Sequence, residues 1–307
     1  ANEAPPAIIS MFLGEQLEDV VMQLIDKGDA TNSIQKGKLK TGASTLPDLN
    51  KDATDRNRTS PFAFTGNKFE FRMVGSSDSI APANVVLNTI VAESFREIAD
   101  ELEKADNFDM ACHDMIKKLF TEHHRIVFNG NGYSDEWVEE AERRGLPNIK
   151  SMVDAVPALT APKAIKLFES FGVFTESELR SRAEIKYEAY AKAINIEAKS
   201  MIDIASKHII PAVVSYTTEL ANSVIAVSEA GVDSSTQKEL LDEVTKYLKE
   251  MKAALKKLTE VTEKASDITE GKEQATYFRD VVKVAMDELR APADKLEMIV
   301  DKEFWPF

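Results

Sequence analysis

The sequence predicts an α+β protein in which helices predominate. Residues 57–72 read NRTSPFAFTGNKFEFR and alternate phenylalanine with polar side chains, which is the period of β-strands. From about Leu159 onward, apolar residues instead recur at spacings of three and four, which is typical of helices that pack on one face. We therefore expect hairpin strands and helices in residues 1–157 and a bundle of long helices in residues 158–307.

Composition limits the partners of this chain. Its 307 residues include 52 acidic and 38 basic side chains, which give a formal net charge of −14. This acidity disfavours nucleic acid and anionic membranes as partners, because both are polyanions. No apolar run approaches the roughly 20 residues of a membrane span, and no signal peptide is recognisable. The single cysteine, Cys112, excludes an internal disulfide and fits a reducing compartment, so we expect a cytoplasmic protein.

The N-terminal part is expected to pass from loops to helices. Residues 26–56 are polar, which predicts a long loop or excursion. Helical character begins after Pro82, and Ser134 is placed to cap a helix that starts at Asp135. Residues 128–134 read FNGNGYS and lack the glycine spacing of a phosphate loop, so we interpret them as a sharp connector.

The C-terminal part is expected to form three or four antiparallel helices. Thr175 and Glu178 make a capping box, which opens a helical run that extends to Pro211. Another run follows this proline and ends at Gly231. Prolines in helix interiors lack the backbone donor, so we expect a break at this position.

The next helix carries a packing seam. Ser234 and Gln237 have the spacing of a second capping box. The apolar positions that follow alternate spacings of three and four: Leu241, Val244, Leu248, Met251, Leu255, Leu258 and Thr262. In the last helix, Phe278, Val282, Ala285 and Leu289 repeat the pattern, and Pro292 is expected to interrupt it.

The turn in the phenylalanine-rich segment fixes the register of a hairpin. Gly66-Asn67 is a two-residue turn with glycine first, which places Thr65 opposite Lys68. Directly opposed residues share a face, so all four phenylalanines should lie together and be largely buried: Phe62, Phe64, Phe69 and Phe71. Lys68, Glu70 and Arg72 fall on the other face, opposite small residues such as Ala63.

The charged row formed by Lys68, Glu70 and Arg72 has two interpretations, and the sequence alone does not decide between them. A carboxylate between two cations suits a hard metal ion that carries phosphate, with Glu70 as the metal ligand and the cations on phosphoryl oxygens. The same row also suits an ordinary salt-bridge ladder on an exposed strand.

Several segments together resemble the C-terminal part of the glutamine synthetase catalytic domain. The glutamate-alanine-proline run at Glu3, the Asn57-Arg58 segment and the hairpin that ends in Glu70-x-Arg72 match its flap, its asparagine-arginine-serine segment and its Glu-x-Arg strand. The runs EAPPAIIS, FNGNGYSDEW and the terminal Trp-Pro-Phe resemble the large type III branch in particular. The resemblance extends over essentially the whole chain.

The resemblance implies an ATP-dependent ligase that joins ammonia to glutamate through γ-glutamyl phosphate. Glu3 matches the flap glutamate that helps to deprotonate ammonium, a role that suits a carboxylate base. Glu70 matches a ligand of the Mg²⁺ or Mn²⁺ ion that binds the ATP phosphates, and Arg72 matches an arginine that holds glutamate and the transferred phosphoryl group. Arg58 and Lys68 match cationic positions that contact nucleotide phosphate.

The chain also departs from the family pattern. Where many members carry a second arginine five residues after the first, this chain has Ala63. The family's other metal ligands and its N-terminal small domain precede the flap and are not found here, and Ala1 and the abrupt end at Phe307 indicate a fragment. Because family sites form between neighbouring subunits of a dodecamer of two hexameric rings, we expect an incomplete active site in a homo-oligomer.

Two other functions are compatible with the sequence. A related ligase on the same scaffold would couple glutamate to another amine, and its flap and ammonium pocket would differ. A helical oligomerisation or regulatory module would account for the helices after Leu159, and it predicts assembly without nucleotide binding.

Overall fold

A computed structural model describes residues 8–34, 38–39, 49–50, 57–72 and 79–307 of the chain. These residues form two compact units, the first of residues 1–150 and 166–173 and the second of residues 151–165 and 174–307. The division expected between residues 157 and 158 stays a prediction.

The first unit contains a three-stranded sheet that carries the predicted hairpin. The strands are β1 (Met11–Phe12), β4 (Phe62–Phe64) and β5 (Phe69–Phe71), in the order β1-β4-β5. β1 pairs with β4 in parallel and β4 with β5 in antiparallel orientation. Met11 also forms a parallel β-bridge with Val127, on the side of β1 that does not face β4.

The polar excursion contains a short strand pair. Within residues 26–56, β2 (Lys38–Leu39) and β3 (Leu49–Asn50) pair in antiparallel orientation. Helix α1 (Glu15–Lys27) precedes this pair and ends at Gly28, which adopts a left-handed conformation. The remaining residues of the excursion, 35–37, 40–48 and 51–56, lie outside the described residues, so the predicted long loop stays a prediction.

Four further helices lie wholly or partly in the first unit: α2 (Ala81–Leu102), α3 (Phe108–His123), α4 (Asp135–Arg143) and the end of α6 (Pro162–Ser170). The side chain of Ser134 accepts a hydrogen bond from the backbone N–H of Trp137 at 3.3 Å, which confirms the predicted cap of α4. Trp137 is 1% exposed and stacks on Phe128 with ring centroids 3.9 Å apart. This stack anchors the FNGNGYS segment to the core of the unit.

The second unit is a helical bundle. Its main helices are α7 (Glu176–Ile204), α8 (Ile210–Glu229), α9 (Ser235–Ser266), α10 (Gly271–Tyr277) and α11 (Lys283–Glu297), preceded by the short helix α5 (Met152–Ala155). The seam predicted along α9 is confirmed: Val244, Met251 and Leu258 are fully buried, and Leu255 and Thr262 nearly so. The four apolar residues among them form one hydrophobic cluster with Phe278, Val282, Ala285 and Leu289 of the last helical segment.

Neither proline breaks its helix, so both predictions of a break are wrong. A π-helical turn, Ala205–Ile209, joins α7 to α8, and Pro211 follows as the second residue of α8. The backbone N–H of Ile210 donates to the carbonyl of Ala205, five residues earlier, as in a π-helix. The helix is therefore already wider just before Pro211, which has no N–H to donate. Pro292 lies inside α11 and is buried, and its packing offsets the one backbone bond that it cannot make.

The two predicted capping boxes have different outcomes. At Thr175 the box is present, because its side chain accepts from the N–H of Glu178, whose carboxylate accepts from Thr175. At Ser234 no side-chain cap forms, since its hydroxyl bonds to Ser228 at 2.7 Å. Asp233 instead accepts from the N–H of Ser235 at 3.0 Å.

One helical stretch among the described residues, Glu176–Glu229, is long and apolar enough to cross a membrane by length and composition. Core helices of soluble proteins satisfy the same criterion, so the finding is weak evidence for a span. The described elements confirm the predicted class, an α+β fold in which helices predominate.

Replacement of Leu258 by alanine should destabilise the second unit, because this side chain is fully buried between helices. The expected loss is about 2–5 kcal/mol of free energy of unfolding. The control is Ile196→Ala on α7, where the side chain is 65% exposed and about 0.5 kcal/mol or less is expected. Urea unfolding followed by far-UV circular dichroism measures both, and equal losses in the two variants would contradict the assigned core.

Candidate active site

The β4–β5 hairpin has the predicted register. Phe62 pairs with Phe71, Ala63 with Glu70 and Phe64 with Phe69. The N–H of Thr65 donates to the carbonyl of Lys68 at 2.8 Å and closes the turn. Gly66 has a φ of +95°, a conformation that side-chain-bearing residues rarely adopt, so glycine at the first turn position sets the pairing of both strands.

The four phenylalanines share one face, but that face is not the buried one. Phe62 contacts Phe71 with centroids 5.0 Å apart, and Phe64 contacts Phe69 at 5.3 Å. Phe69 is nevertheless 49% exposed and the others are half-buried, so the prediction that all four are largely buried is wrong. The reason is that β5 is an edge strand of the described sheet, where the rings pack mainly against each other.

The face that carries Glu70 is the better covered face at β1 and β4. Phe12, Ala63 and Glu70 lie side by side across the three strands. Phe12 is 4% exposed and Ala63 is 1% exposed, whereas Glu70 is half-buried. The carboxylate therefore stands beside a packed apolar floor and keeps access to solvent.

Glu70 and Arg72 meet on this face. A guanidinium nitrogen of Arg72 donates to a carboxylate oxygen of Glu70 at 3.0 Å, and the side chain of Arg72 is 30% exposed and that of Glu70 42% exposed. An ion pair this exposed contributes about 0–1 kcal/mol to stability. The fold does not depend on it, so either residue can be replaced to examine its chemistry.

The other two predicted cations are exposed. Lys68 lies in the turn on the same strand row as Glu70, and Arg58 lies in the loop before β4. Neither side chain has a hydrogen bond or ion pair with another residue that the structure describes. Glu3, the predicted base, lies outside the described residues.

Residues on either side of Arg58, which the sequence analysis did not predict as site residues, form a dense network of hydrogen bonds. The side-chain oxygen of Asn57 accepts from the N–H groups of Thr59 (2.7 Å) and Ser60 (2.9 Å) and from the Thr59 hydroxyl (3.0 Å). Its side-chain nitrogen donates to the carbonyl of Gly130 at 2.9 Å. The asparagine followed by Thr and Ser was the available signal, since this order favours side-chain turns.

The FNGNGYS segment is more than a connector. Its Gly132 donates an N–H to the Thr59 hydroxyl at 2.8 Å. Its Asn129 accepts from the N–H groups of Leu13 and Gly14, each at 3.0 Å, and donates to Glu18 at 2.5 Å. The segment therefore links the loop of Arg58 to the start of α1.

The Glu70 carboxylate fits a metal ion only as one ligand of a larger site. Among the described residues, no group of three or more His, Cys, Asp or Glu side chains is placed to hold a metal. Mg²⁺ in nucleotide sites is commonly held by one or two carboxylates together with substrate phosphates. Glu70 with neighbouring cations fits such a shared arrangement, because the cations suit the phosphate oxygens and the carboxylate suits the metal.

Replacement of Gly66 by alanine should loosen the hairpin, because an L side chain in this left-handed conformation is strained. We expect the amide protons of Thr65 and Arg72, which bond across the strands, to exchange roughly tenfold faster. The control is Asn67→Ala at the exposed second turn position. Unchanged exchange in the Gly66 variant, measured by NMR or mass spectrometry, would show that the turn does not set the register.

Comparison with known proteins places the chain in a family. Residues 111–228 match the family model described as the glutamine synthetase C-terminal domain. The chain is 45% identical over 230 residues to a type-3 glutamine synthetase of Dictyostelium discoideum, which covers 74% of this chain and 31% of that protein. A glutamine synthetase of Bacteroides fragilis is 38% identical over 266 residues, or 82% of this chain and 36% of that protein.

A glutamine synthetase of Butyrivibrio fibrisolvens is 39% identical over 229 residues, which cover 73% of this chain and 32% of that protein. The chain thus spans about a third of the length of the curated relatives that it matches. The chain belongs to the glutamine synthetase family and corresponds to the C-terminal portion of a type III member.

Proposed function

We propose that this chain is the C-terminal part of an ATP-dependent ligase that forms glutamine from glutamate and ammonia through γ-glutamyl phosphate. The observation that carries the proposal is the contact of Glu70 with Arg72 on one hairpin face, at the positions that the family motif assigns to metal and substrate. The relatives named glutamine synthetase support the reaction class.

The reaction transfers the γ-phosphoryl group of ATP to the side-chain carboxylate of glutamate, and ammonia then displaces phosphate. Arg72 has donors for the glutamate and for the moving phosphoryl group, and its contact with Glu70 holds the guanidinium on the site face. Arg58 and Lys68, both exposed cations, would bind nucleotide phosphate oxygens and offset their negative charge. Glu3 would accept the proton that ammonium loses before it attacks.

Glu70 would supply one carboxylate oxygen to Mg²⁺ or Mn²⁺. When bound, such an ion neutralises charge on the phosphates of ATP during transfer. The remaining ligands would come from outside this chain, so we propose that the chain holds only part of the active site. Phosphate oxygens of ATP and residues of the missing portion would complete the coordination.

The assembly and location follow from the same proposal. We propose a cytoplasmic homo-oligomer, a dodecamer of two hexameric rings, in which neighbouring subunits complete each other's sites. Its substrates are glutamate, ammonia and ATP, and neither nucleic acid nor membrane is a partner. The net charge of −14 supports the last point, because polyanions repel an acidic surface.

Replacement of Glu70 by glutamine in the full-length protein should abolish metal-supported turnover and leave the fold intact. Glutamine keeps the size of the side chain and removes the charge that a metal requires. We expect a loss of at least about 100-fold in kcat/KM, with little change in thermal stability because the ion pair is exposed. Glutamine formation at varied Mn²⁺ concentration measures the effect.

The matched control is Glu139→Gln, an exposed glutamate on α4, which should retain full activity. A normal rate in the Glu70 variant would remove this residue from the site. Turnover of wild-type protein with another amine, and not with ammonia, would favour the related ligase instead. Stable oligomers that neither bind ATP nor form glutamine would favour the helical module.

A further inference from the structure

The side chain of Asn57 makes four hydrogen bonds that hold the loop before β4. Asn57 uses its amide oxygen to hold the backbone of Thr59 and Ser60 and its amide nitrogen to hold the carbonyl of Gly130. Aspartate lacks the donor and serine lacks the reach, so asparagine alone among small polar residues satisfies both directions. This one side chain therefore holds its own loop in shape and ties that loop to the FNGNGYS segment.

The backbone of the same residue orients Arg72. One guanidinium nitrogen of Arg72 donates to the carbonyl oxygen of Asn57, and the other donates to Glu70. The planar guanidinium is held at both tips, and its remaining N–H donors keep a fixed direction. This carbonyl belongs to the peptide bond that precedes Arg58, so the peptide unit that holds Arg72 also leads into the backbone of Arg58.

Gly132 lets the FNGNGYS segment approach this loop. A Cβ atom at this position would lie 2.7 Å from the carbonyl oxygen of Thr59, a distance that no side chain tolerates against backbone. Without that Cβ, the Gly132 N–H reaches the Thr59 hydroxyl at 2.8 Å, and the same hydroxyl donates to Asn57. The glycine is needed for close approach rather than for an unusual backbone angle.

The FNGNGYS segment also contacts other parts of the first unit. Asn129 holds the backbone of Leu13 and Gly14, where β1 ends and α1 begins. The ring of Phe128 stacks on the buried Trp137. Motion of the loop is therefore opposed by a chain of contacts that ends in the core.

We propose that Asn57, Thr59 and Gly132 form a clamp that positions Arg58 and Arg72 for the phosphoryl group of the ligase reaction. This inference rests on the function proposed above. The three are positioning residues, since none of them is required to touch substrate. The clamp fixes the guanidinium of Arg72 and the backbone from which Arg58 extends, which suits a phosphoryl group whose charge must be met in the transition state.

The test uses Thr59 in the full-length enzyme, because one variant at this position removes the hydroxyl and another keeps it. Thr59→Val keeps the shape and removes the link between Asn57 and Gly132, whereas Thr59→Ser keeps the hydroxyl. We expect kcat for glutamine formation to fall about tenfold in Thr59→Val and to recover to within about twofold of wild type in Thr59→Ser. The half-saturation concentrations of ATP and glutamate should change less than kcat.

The control is Thr121→Val, an exposed threonine on α3 whose hydroxyl donates to the backbone carbonyl of Lys117 in its own helix. It should leave kcat unchanged. If Thr59→Val does not fold, Asn57→Asp provides the second route, because it retains the acceptor, removes the donor to Gly130 and adds a negative charge beside Arg72. A fall in kcat at unchanged melting temperature is again expected.

The outcomes separate this inference from the proposed function. A wild-type protein that forms no glutamine would overturn the ligase proposal and the clamp with it. An active wild type whose kcat is unchanged in Thr59→Val would overturn the clamp and leave the ligase intact. Equal losses in the valine and serine variants would also contradict the clamp, because the hydroxyl would then not be the cause.

Discussion

The two-residue turn at Gly66 is the constraint on which the candidate site depends. A hairpin has a side-chain period of two, so a shift of one residue would move Glu70 and Arg72 to the phenylalanine face. The positive φ of this glycine holds the register that places Glu70, with its partner Arg72, on the same face as Ala63 and Phe12. The parallel pairing of β4 with β1 then attaches this pair to the buried part of the first unit.

The clamp gives the hairpin a second support that the sheet cannot provide. β5 is an edge strand of the described sheet and has backbone partners on one side only, so its last residues are the ones most able to fray. Arg72 follows the end of this strand, and its contact with the Asn57 carbonyl compensates for the missing strand neighbour. Sheet pairing sets which face Arg72 occupies, and the clamp sets the direction of its guanidinium.

Sequence patterns predicted the elements that follow from short-range rules. The hairpin register, the caps at Ser134 and Thr175, and the buried seam of α9 all depend on residues a few positions apart. The cap predicted at Ser234 is a short-range exception, because its hydroxyl bonds to Ser228 instead. The other failures depend on features that local spacing does not show. Pro211 and Pro292 stay within helices because a π turn and buried packing compensate for the missing donor, and neither is visible in local spacing.

The candidate site was predictable only in part for the same reason. Glu70 and Arg72 share a strand, so the alternation of the sequence places them together. The role of Gly132 depends on a contact with Thr59 across 73 positions, which no local motif encodes. Burial of the phenylalanines was also misjudged, because amphipathic alternation identifies two faces and does not say which of them is covered.

A structure of the full-length protein with Mg²⁺ and a non-hydrolysable ATP analogue would show whether Glu70 binds the metal ion that carries the phosphates. We expect a Glu70 carboxylate oxygen at about 2.0–2.1 Å from a Mg²⁺ ion that also contacts phosphate, with Arg72 still bonded to the Asn57 carbonyl. An ion and nucleotide bound elsewhere, with Glu70 paired only to Arg72, would contradict the assignment and leave the charged row as a surface salt bridge.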